Sequence, residues 1–224
     1  MAALLYKEFR LSMHPICYVF VAVFPFMILI PSYPIAISFI YILAAYPILF
    51  LGANKGQQSN DLLYSTLLPV RKKDIVLARI FTVLLMQLAS MAIMSALVPL
   101  ALLIRNSATG STDPGLGIDG FVSVLAIALF GYAIADLIFF PIYYKHGKSI
   151  VMSTLLMILG FIVYLALFTI IIPYLPGCQG YVDLLCHSGL GVQFAFLGGA
   201  IVLSAFAHFA VYKISAKRLE KVDF

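Results

Sequence analysis

Long apolar runs separated by short polar segments occupy most of this chain of 224 residues. A helix needs roughly 20 apolar residues to cross the hydrocarbon core of a bilayer, and the runs are of this length or longer. The chain is 63% hydrophobic and only 10% charged, whereas a soluble domain is ordinarily about 25% charged. No soluble fold has enough interior to bury this much apolar surface. The sequence therefore predicts an all-α integral membrane protein with a single transmembrane domain over residues 1–224.

Six transmembrane helices fit these runs. The run over residues 16–53 is too long for one crossing, and the segment 31–34 (PSYP) divides it into a hairpin, because proline removes a helix donor and restricts the residue before it. Residues 3–14 mix apolar side chains with Lys7 and Arg10, which is typical of an amphipathic helix lying in the membrane interface. The predicted transmembrane helices cover about 16–30, 35–53, 75–104, 120–141 (ending at Pro141), 150–173 and 190–212.

The basic residues indicate the orientation of these helices. If both termini are cytoplasmic, thirteen lysines and arginines fall on the cytoplasmic side and only Arg105 falls outside. This is a strong positive-inside pattern, and it weakens to eleven against three if residues 16–53 cross only once. The same distribution argues against nucleic-acid binding, because the net charge of +5 is spread between apolar segments and forms no basic face.

Signatures of catalysis are missing from the sequence. It contains no HExxH zinc motif and no GxSxG nucleophile motif, and its four histidines are scattered without a close ligand pair. The tripeptide GKS at 147–149 resembles the end of a phosphate-binding loop, but that motif requires glycine where Ile142 stands. We therefore expect no enzymatic activity, no metal and no cofactor bound by this chain itself.

Polar residues inside the predicted helices are candidates for a gate or translocation site. Asp136 lies about five residues from the expected cytoplasmic end of the fourth helix, so it is either functional or snorkels to the interface. His208 lies at a similar depth in the sixth helix, where the simpler expectation is a packed or water-facing ring and a pair with Asp136 is the alternative. Gln87 in the third helix is either a third member or an ordinary interhelical hydrogen-bonding residue.

Two cysteines share one predicted outside loop. Cys178 and Cys186 are eight positions apart between the fifth and sixth helices. An oxidising compartment would let them form a disulfide, and a reducing one would leave both as thiols. The sequence leaves both states open.

The polar segment before the third helix carries the most specific pattern. In its stretch DLLYSTLLPVRKK, leucines surround Ser65 and Thr66, and Pro69 follows them. This pattern fits a short helix that ends at the proline and is followed by a basic cluster at the membrane surface. Two interpretations remain open on the residues alone. The segment is either a polar loop with a basic anchor or a docking helix that presents an apolar face to a cytoplasmic partner.

The same segment resembles a pattern of the ABC-2 type permeases. More narrowly, it is similar to the short six-helix bacterial permeases found beside ABC ATPases that export amphipathic toxin peptides, such as phenol-soluble modulins. The stretch PIYYKHGK at 141–148 also resembles the family's sequence after the fourth helix. The positions that match the family's loop pattern are Leu68, Pro69, Val70, Arg71, Lys72, Asp74, Ile75, Val76, Leu77, Ala78 and Arg79.

The resemblance implies a non-catalytic, multi-pass subunit of a bacterial plasma membrane. Two such permeases, identical or different, would pair with two cytoplasmic ATPase subunits that bind ATP and Mg, and residues 3–14 would form the elbow helix. Residues implied to couple to the ATPase are Asp61, Leu63, Tyr64, Ser65, Leu67, Leu68, Pro69 and Arg71, with Lys145, His146 and Lys148 as a second cytoplasmic contact.

The function implied is export of hydrophobic or amphipathic cargo, with peptides as the first expectation and a lipid or small drug as the second. The alternative is a membrane immunity or scaffold protein that protects against peptide toxins without a transport cycle of its own.

Overall fold

All regular structure in the described part of the chain is helical. A computed structural model describes residues 2–12, 15–29, 70–109, 121–146, 150–167 and 190–221. The predicted second transmembrane helix at 35–53 lies outside the described residues. Three of the described helices are long and apolar enough to cross a membrane, over Lys72–Ala101, Leu125–Lys145 and Leu190–Glu220. These observations confirm an all-α membrane protein, while the cytoplasmic placement of both termini stays a prediction.

Two short helices begin the chain. Helix α1 covers Ala2–Lys7 and continues as a π-helical turn over Glu8–Ser12, close to the predicted interfacial segment at 3–14. Helix α2 covers Pro15–Val23 and then tightens into a 3₁₀ segment over Phe24–Leu29. Proline at the first position of α2 costs no hydrogen bond, because that N–H has no partner in a helix. The change of winding coincides with Pro25, where a proline inside a helix removes a donor.

Four longer helices follow, and most boundaries differ from the sequence expectation by a few residues. Helix α3 begins three residues before the predicted start at 75 and ends five residues after the predicted end at 104. Helix α5 begins as predicted, and residues 168–173 of its predicted span lie outside the described residues. The observed bounds are Lys72–Thr109 for α3, Phe121–His146 for α4, Ile150–Ala166 for α5 and Leu190–Glu220 for α6.

The predicted end of the fourth helix at Pro141 is wrong. Helix α4 continues through this proline for five more residues to His146. A proline removes only one backbone hydrogen bond, and the turn after it is buried. Tyr143 stacks on Phe139 with ring centroids 5.7 Å apart, and Tyr144 stacks on Phe140 at 6.4 Å. This aromatic packing on both sides of Pro141 favours the helical continuation.

The sixth helix is two turns longer than the expected end at residue 212. It continues to Glu220 because its last turns pack inward, with Ser215, Ala216 and Leu219 buried. Arg218 donates from Nη1 to the carbonyl oxygen of Pro141. This bond ties the end of α6 to α4, and a basic side chain also complements the negative carboxyl end of a helix.

Helix α4 lies at the centre of the described bundle. It packs along α6 and α5, while α3 packs against α6 and against the segment that begins with α2. In the most apolar window of α4, 61% of residues are buried, compared with 17% in that of α6. Helix α6 therefore exposes large side chains such as Ile201, Phe206 and Phe209, as a lipid-facing helix does. A polar residue on the inner face of α4 is consequently held among other helices.

Candidate functional site

Three predicted polar residues meet at one point inside the bundle. The Gln87 carboxamide nitrogen of α3 donates to Asp136 Oδ2 of α4 at 3.2 Å. His208 Nε2 of α6 lies 3.0 Å from the same oxygen. Gln87 is 2% exposed and Asp136 is 1% exposed. The structure thus contains the Asp136–His208 pair that the sequence treated as the alternative to a packed or water-facing histidine.

Asp136 lies farther from the end of its helix than the sequence predicted. It stands ten residues before the end of α4 at His146, or about 15 Å at 1.5 Å per residue. It is the twelfth residue of the span Leu125–Lys145, close to the middle of a hydrocarbon core about 30 Å thick. The expected depth of five residues was wrong because it placed the helix end at Pro141. Asp136 is buried and is held by side chains of two other helices.

The surroundings of His208 determine which ring nitrogen carries a proton. Nδ1 lies 2.7 Å from the carbonyl oxygen of Ser204, one turn earlier in α6. A carbonyl oxygen only accepts, so Nδ1–H donates to it. The Ser204 hydroxyl oxygen is 3.3 Å from the same nitrogen. This local bond orients the ring so that Nε2 points at Asp136. Asp136 Oδ1 is buried and has no hydrogen-bond partner among the residues that the structure describes.

A second buried polar cluster, which sequence reasoning missed, joins the π-helical turn after α1 to α3 and α4. Arg79 Nε lies 3.2 Å from Glu8 Oε2, and Arg79 Nη2 lies 3.4 Å from Glu8 Oε1. Arg79 Nη1 also donates to the Tyr143 hydroxyl at 3.2 Å. Both charged groups are buried, with Arg79 7% and Glu8 5% exposed. From the sequence, Arg79 was interpreted only as one of the basic residues that indicate orientation and as a match to the family's loop pattern. An arginine seven residues inside a helix, with a single acid in the amino-terminal segment, was the available clue.

The residues implied to couple to an ATPase lie mostly outside the described part of the chain. Arg71 is described: it is exposed, and its carbonyl oxygen accepts from the Asp74 N–H at 2.9 Å where α3 begins. Lys145 is exposed near the end of α4, and His146 is the last residue of that helix. Outside the described residues lie Asp61, Leu63, Tyr64, Ser65, Leu67, Leu68, Pro69, Lys148, Cys178 and Cys186.

Helix α3 connects the exposed end of the bundle to both polar clusters. It is continuous from Lys72 to Thr109, and it carries Arg79 and Gln87 at successive depths. Gln87 lies 16 residues after Arg71, or about 24 Å along the axis. A helix is a stiff element, so α3 forms one continuous link between its exposed first turn and the Gln87–Asp136–His208 cluster.

An apolar groove of about 270 Å³ lies between α4, α5 and α6. Its lining includes Phe130, Tyr164 and Leu203, together with the small residues Ala126 and Gly199. The Tyr164 hydroxyl donates to a backbone carbonyl oxygen of α4 at 3.0 Å, so it is already satisfied. The groove therefore presents hydrocarbon to whatever lies in it.

The described ranges hold no cluster of three or more histidine, cysteine or acidic side chains of the kind that binds a metal ion.

A family model described as ABC-2 family transporter protein matches residues 3–217, which is nearly the whole chain. Neither the curated proteins nor the solved structures contain a match to this chain.

Proposed function

This chain belongs to the ABC-2 transporter family and is therefore a membrane permease subunit of an ABC transporter, and we propose that it exports hydrophobic or amphipathic peptides across a bacterial plasma membrane. In this proposal, two permease subunits, identical or different, assemble with two cytoplasmic ATPase subunits. The ATPases bind ATP and Mg, and this chain supplies the path and the gate.

The observation that carries the proposal is the continuity of α3. Its first turn lies three residues after the segment at 61–69, which the resemblance implies to be the coupling helix. The helix then engages Glu8 through Arg79 and Asp136 through Gln87. Closure of the ATPases would push on the segment at 61–69, and α3 would transmit that movement to the polar cluster about 24 Å away. Lys145 and His146, which lie at the end of α4, would form a second contact with the ATPase.

The cluster of Gln87, Asp136 and His208 is the proposed gate. It joins three helices at mid-membrane depth, where ionisable groups are costly and usually serve transport. Its two contacts between helices are Gln87–Asp136 and Asp136–His208, so a movement of α6 relative to α4 would break the second of them. Apolar packing between the helices would not require three polar side chains to meet at one point of the bundle.

The peptide cargo is supported by the resemblance of residues 61–79 and 141–148 to peptide-exporting permeases. The apolar groove between α4, α5 and α6 is compatible with the nonpolar face of an amphipathic helix. A lipid or a small apolar drug is the alternative cargo, since both would fit the same hydrocarbon lining.

Co-purification with the ATPase tests the coupling step. We expect the double substitution Leu67→Asp, Leu68→Asp to abolish binding of the ATPase or cargo-stimulated ATP hydrolysis, because two buried apolar contacts would become unpaired charges. Thr66→Asp, compared with Leu67→Asp alone, is the matched control, since each adds one negative charge and position 66 is predicted to be polar. Normal binding and turnover in the double variant would refute the coupling assignment.

Transport is measured separately, with the permease and ATPase in lipid vesicles and a fluorescent amphipathic helical peptide. We expect ATP-dependent movement of the peptide and little movement of a scrambled peptide of the same composition. If no ATPase binds the wild-type chain and no peptide moves, the immunity or scaffold function is favoured instead.

A further inference from the structure

The hydrogen bonds of His208 fix the number of protons in its contact with Asp136. His208 Nδ1–H is engaged with the Ser204 carbonyl oxygen at 2.7 Å. Its other nitrogen, Nε2, faces Asp136 Oδ2 at 3.0 Å. Two lone pairs at this distance repel each other, so one proton lies between them. That proton belongs either to an imidazolium beside a carboxylate or to a carboxylic acid beside a neutral imidazole, and the pair has no net charge in both cases.

The surroundings add no other charge to this count. In the described part of the chain, the polar contacts of Asp136 are those with Gln87 and His208. Gln87 is neutral and donates to Oδ2, and the groups within reach of His208 are Asp136 and Ser204. Helix α5 contributes no charged residue at any depth. One proton therefore decides the charge distribution of the whole cluster.

The other buried pair behaves differently. Arg79 and Glu8 are also held by two hydrogen bonds, but a guanidinium does not give up its proton in a protein. Separating Arg79 from Glu8 would leave two full charges in a poorly polar interior, which is strongly unfavourable. Separating Asp136 from His208 has an alternative. When the proton stays on the carboxyl oxygen, both side chains are neutral as they separate.

We propose that Asp136 and His208 form a buried proton-binding site whose single proton lets α6 separate from α4 without leaving a charge inside the membrane. In the closed contact the proton is shared between Nε2 and Oδ2. When the contact opens, the N–H bond breaks, the proton and its new O–H bond remain on Asp136, and the imidazole keeps its proton on Nδ1. No proton enters or leaves the protein in this step. The Glu8–Arg79 pair, which lacks this route, anchors α1 to α3 throughout.

The proton site is tested first without transport, so that its failure is separable from that of the export proposal. The purified chain, labelled with ¹⁵N-histidine, is placed in lipid nanodiscs, and the His208 signals are identified by their loss in His208→Gln. We expect Nδ1 to carry a directly bonded hydrogen in the wild type. In Asp136→Asn we expect Nδ1 to keep it and Nε2 to be an unprotonated acceptor. A wild-type His208 with its Nδ1 unprotonated would overturn the proposal.

Peptide export by the variants then tests whether the proton site is used during transport. His208→Arg replaces a residue that can release its proton with one that cannot, so it converts the contact into a permanent ion pair. We expect peptide export to fall at least tenfold more in His208→Arg than in Asp136→Asn, which keeps a neutral hydrogen-bonded contact. Lys213→Arg, an exposed cation five residues further along α6, is the control for adding a guanidinium.

A larger loss of peptide export in Asp136→Asn than in His208→Arg would overturn the proposal. A purely structural ion pair is damaged by Asp136→Asn and maintained by His208→Arg. Thermal unfolding of both variants shows whether either loss reflects misfolding. If His208→Arg fails to fold, His208→Lys makes the same comparison with a smaller cation, and equal export in His208→Lys and Asp136→Asn also refutes the proposal.

Discussion

Substituting Glu8 by glutamine removes one charge from a buried pair and keeps its shape. In the native protein, Glu8 accepts from Arg79 through both carboxylate oxygens, at 3.2 Å and 3.4 Å, and both side chains are under 10% exposed. Removing one partner of such a pair costs about 3–5 kcal/mol, since Arg79 and Lys7, whose Nζ lies 3.8 Å from Glu8 Oε1, both lose this counter-charge. The Tyr143 hydroxyl still accepts from Arg79 in the variant. We therefore expect the lower end of the range, a loss of about 3 kcal/mol in the free energy of unfolding.

Reversible unfolding in mixed detergent micelles measures this loss. The matched control is Glu220→Gln, which removes a carboxylate from the pair with Lys73 at 3.3 Å. Those two side chains are 46% and 54% exposed, so the control is expected to cost under about 1 kcal/mol. A double-mutant cycle with Arg79→Met isolates the pairwise interaction. Equal losses in Glu8→Gln and Glu220→Gln, or additive effects in the cycle, would refute the buried-pair reasoning.

Two further substitutions test the packing of α5. A side chain at Gly160 would overlap Ile138 of α4, whereas one at Gly198 of α6 would meet open space. Gly160→Leu should therefore cost about 1–3 kcal/mol of stability, and Gly198→Leu far less; equal losses in unfolding experiments would count against the close α4–α5 contact. Tyr164→Phe removes the hydroxyl that donates to the Ile127 carbonyl oxygen at 3.0 Å. It should cost about 1 kcal/mol, and an unchanged unfolding free energy would show that this bond contributes nothing.

The boundaries of α4 show where sequence reasoning was limited. Proline predicts a helix end because it removes a donor, and this rule placed the end of the fourth helix at Pro141. The rule does not include the packing of the residues that follow. Tyr143 and Tyr144 are buried against the core, and this burial outweighs the loss of one hydrogen bond. The error also placed Asp136 five residues from the helix end, whereas ten residues separate it from the observed end at His146.

The candidate site residues were identified with uneven success. Gln87, Asp136 and His208 were found because polar side chains are rare in apolar runs and therefore conspicuous. Their contacts were not predictable with the same certainty, since residues 49 and 72 positions apart meet only when three helices adopt particular rotations. Glu8 and Arg79 were missed as partners for a related reason. Both lie in segments where charges are common, so neither stood out.

The sequence by itself determined that this protein lies in a lipid bilayer and that it is an all-α membrane protein. Long uncharged runs require helices in a bilayer, because only a helix satisfies its own backbone polar groups there, and local motifs were enough to indicate the permease family. Tertiary structure alone decided which polar groups meet. Hydrophobicity is non-directional and does not specify helix rotation, whereas a 3.0 Å contact between Asp136 and His208 requires one rotation and one register of α4 against α6.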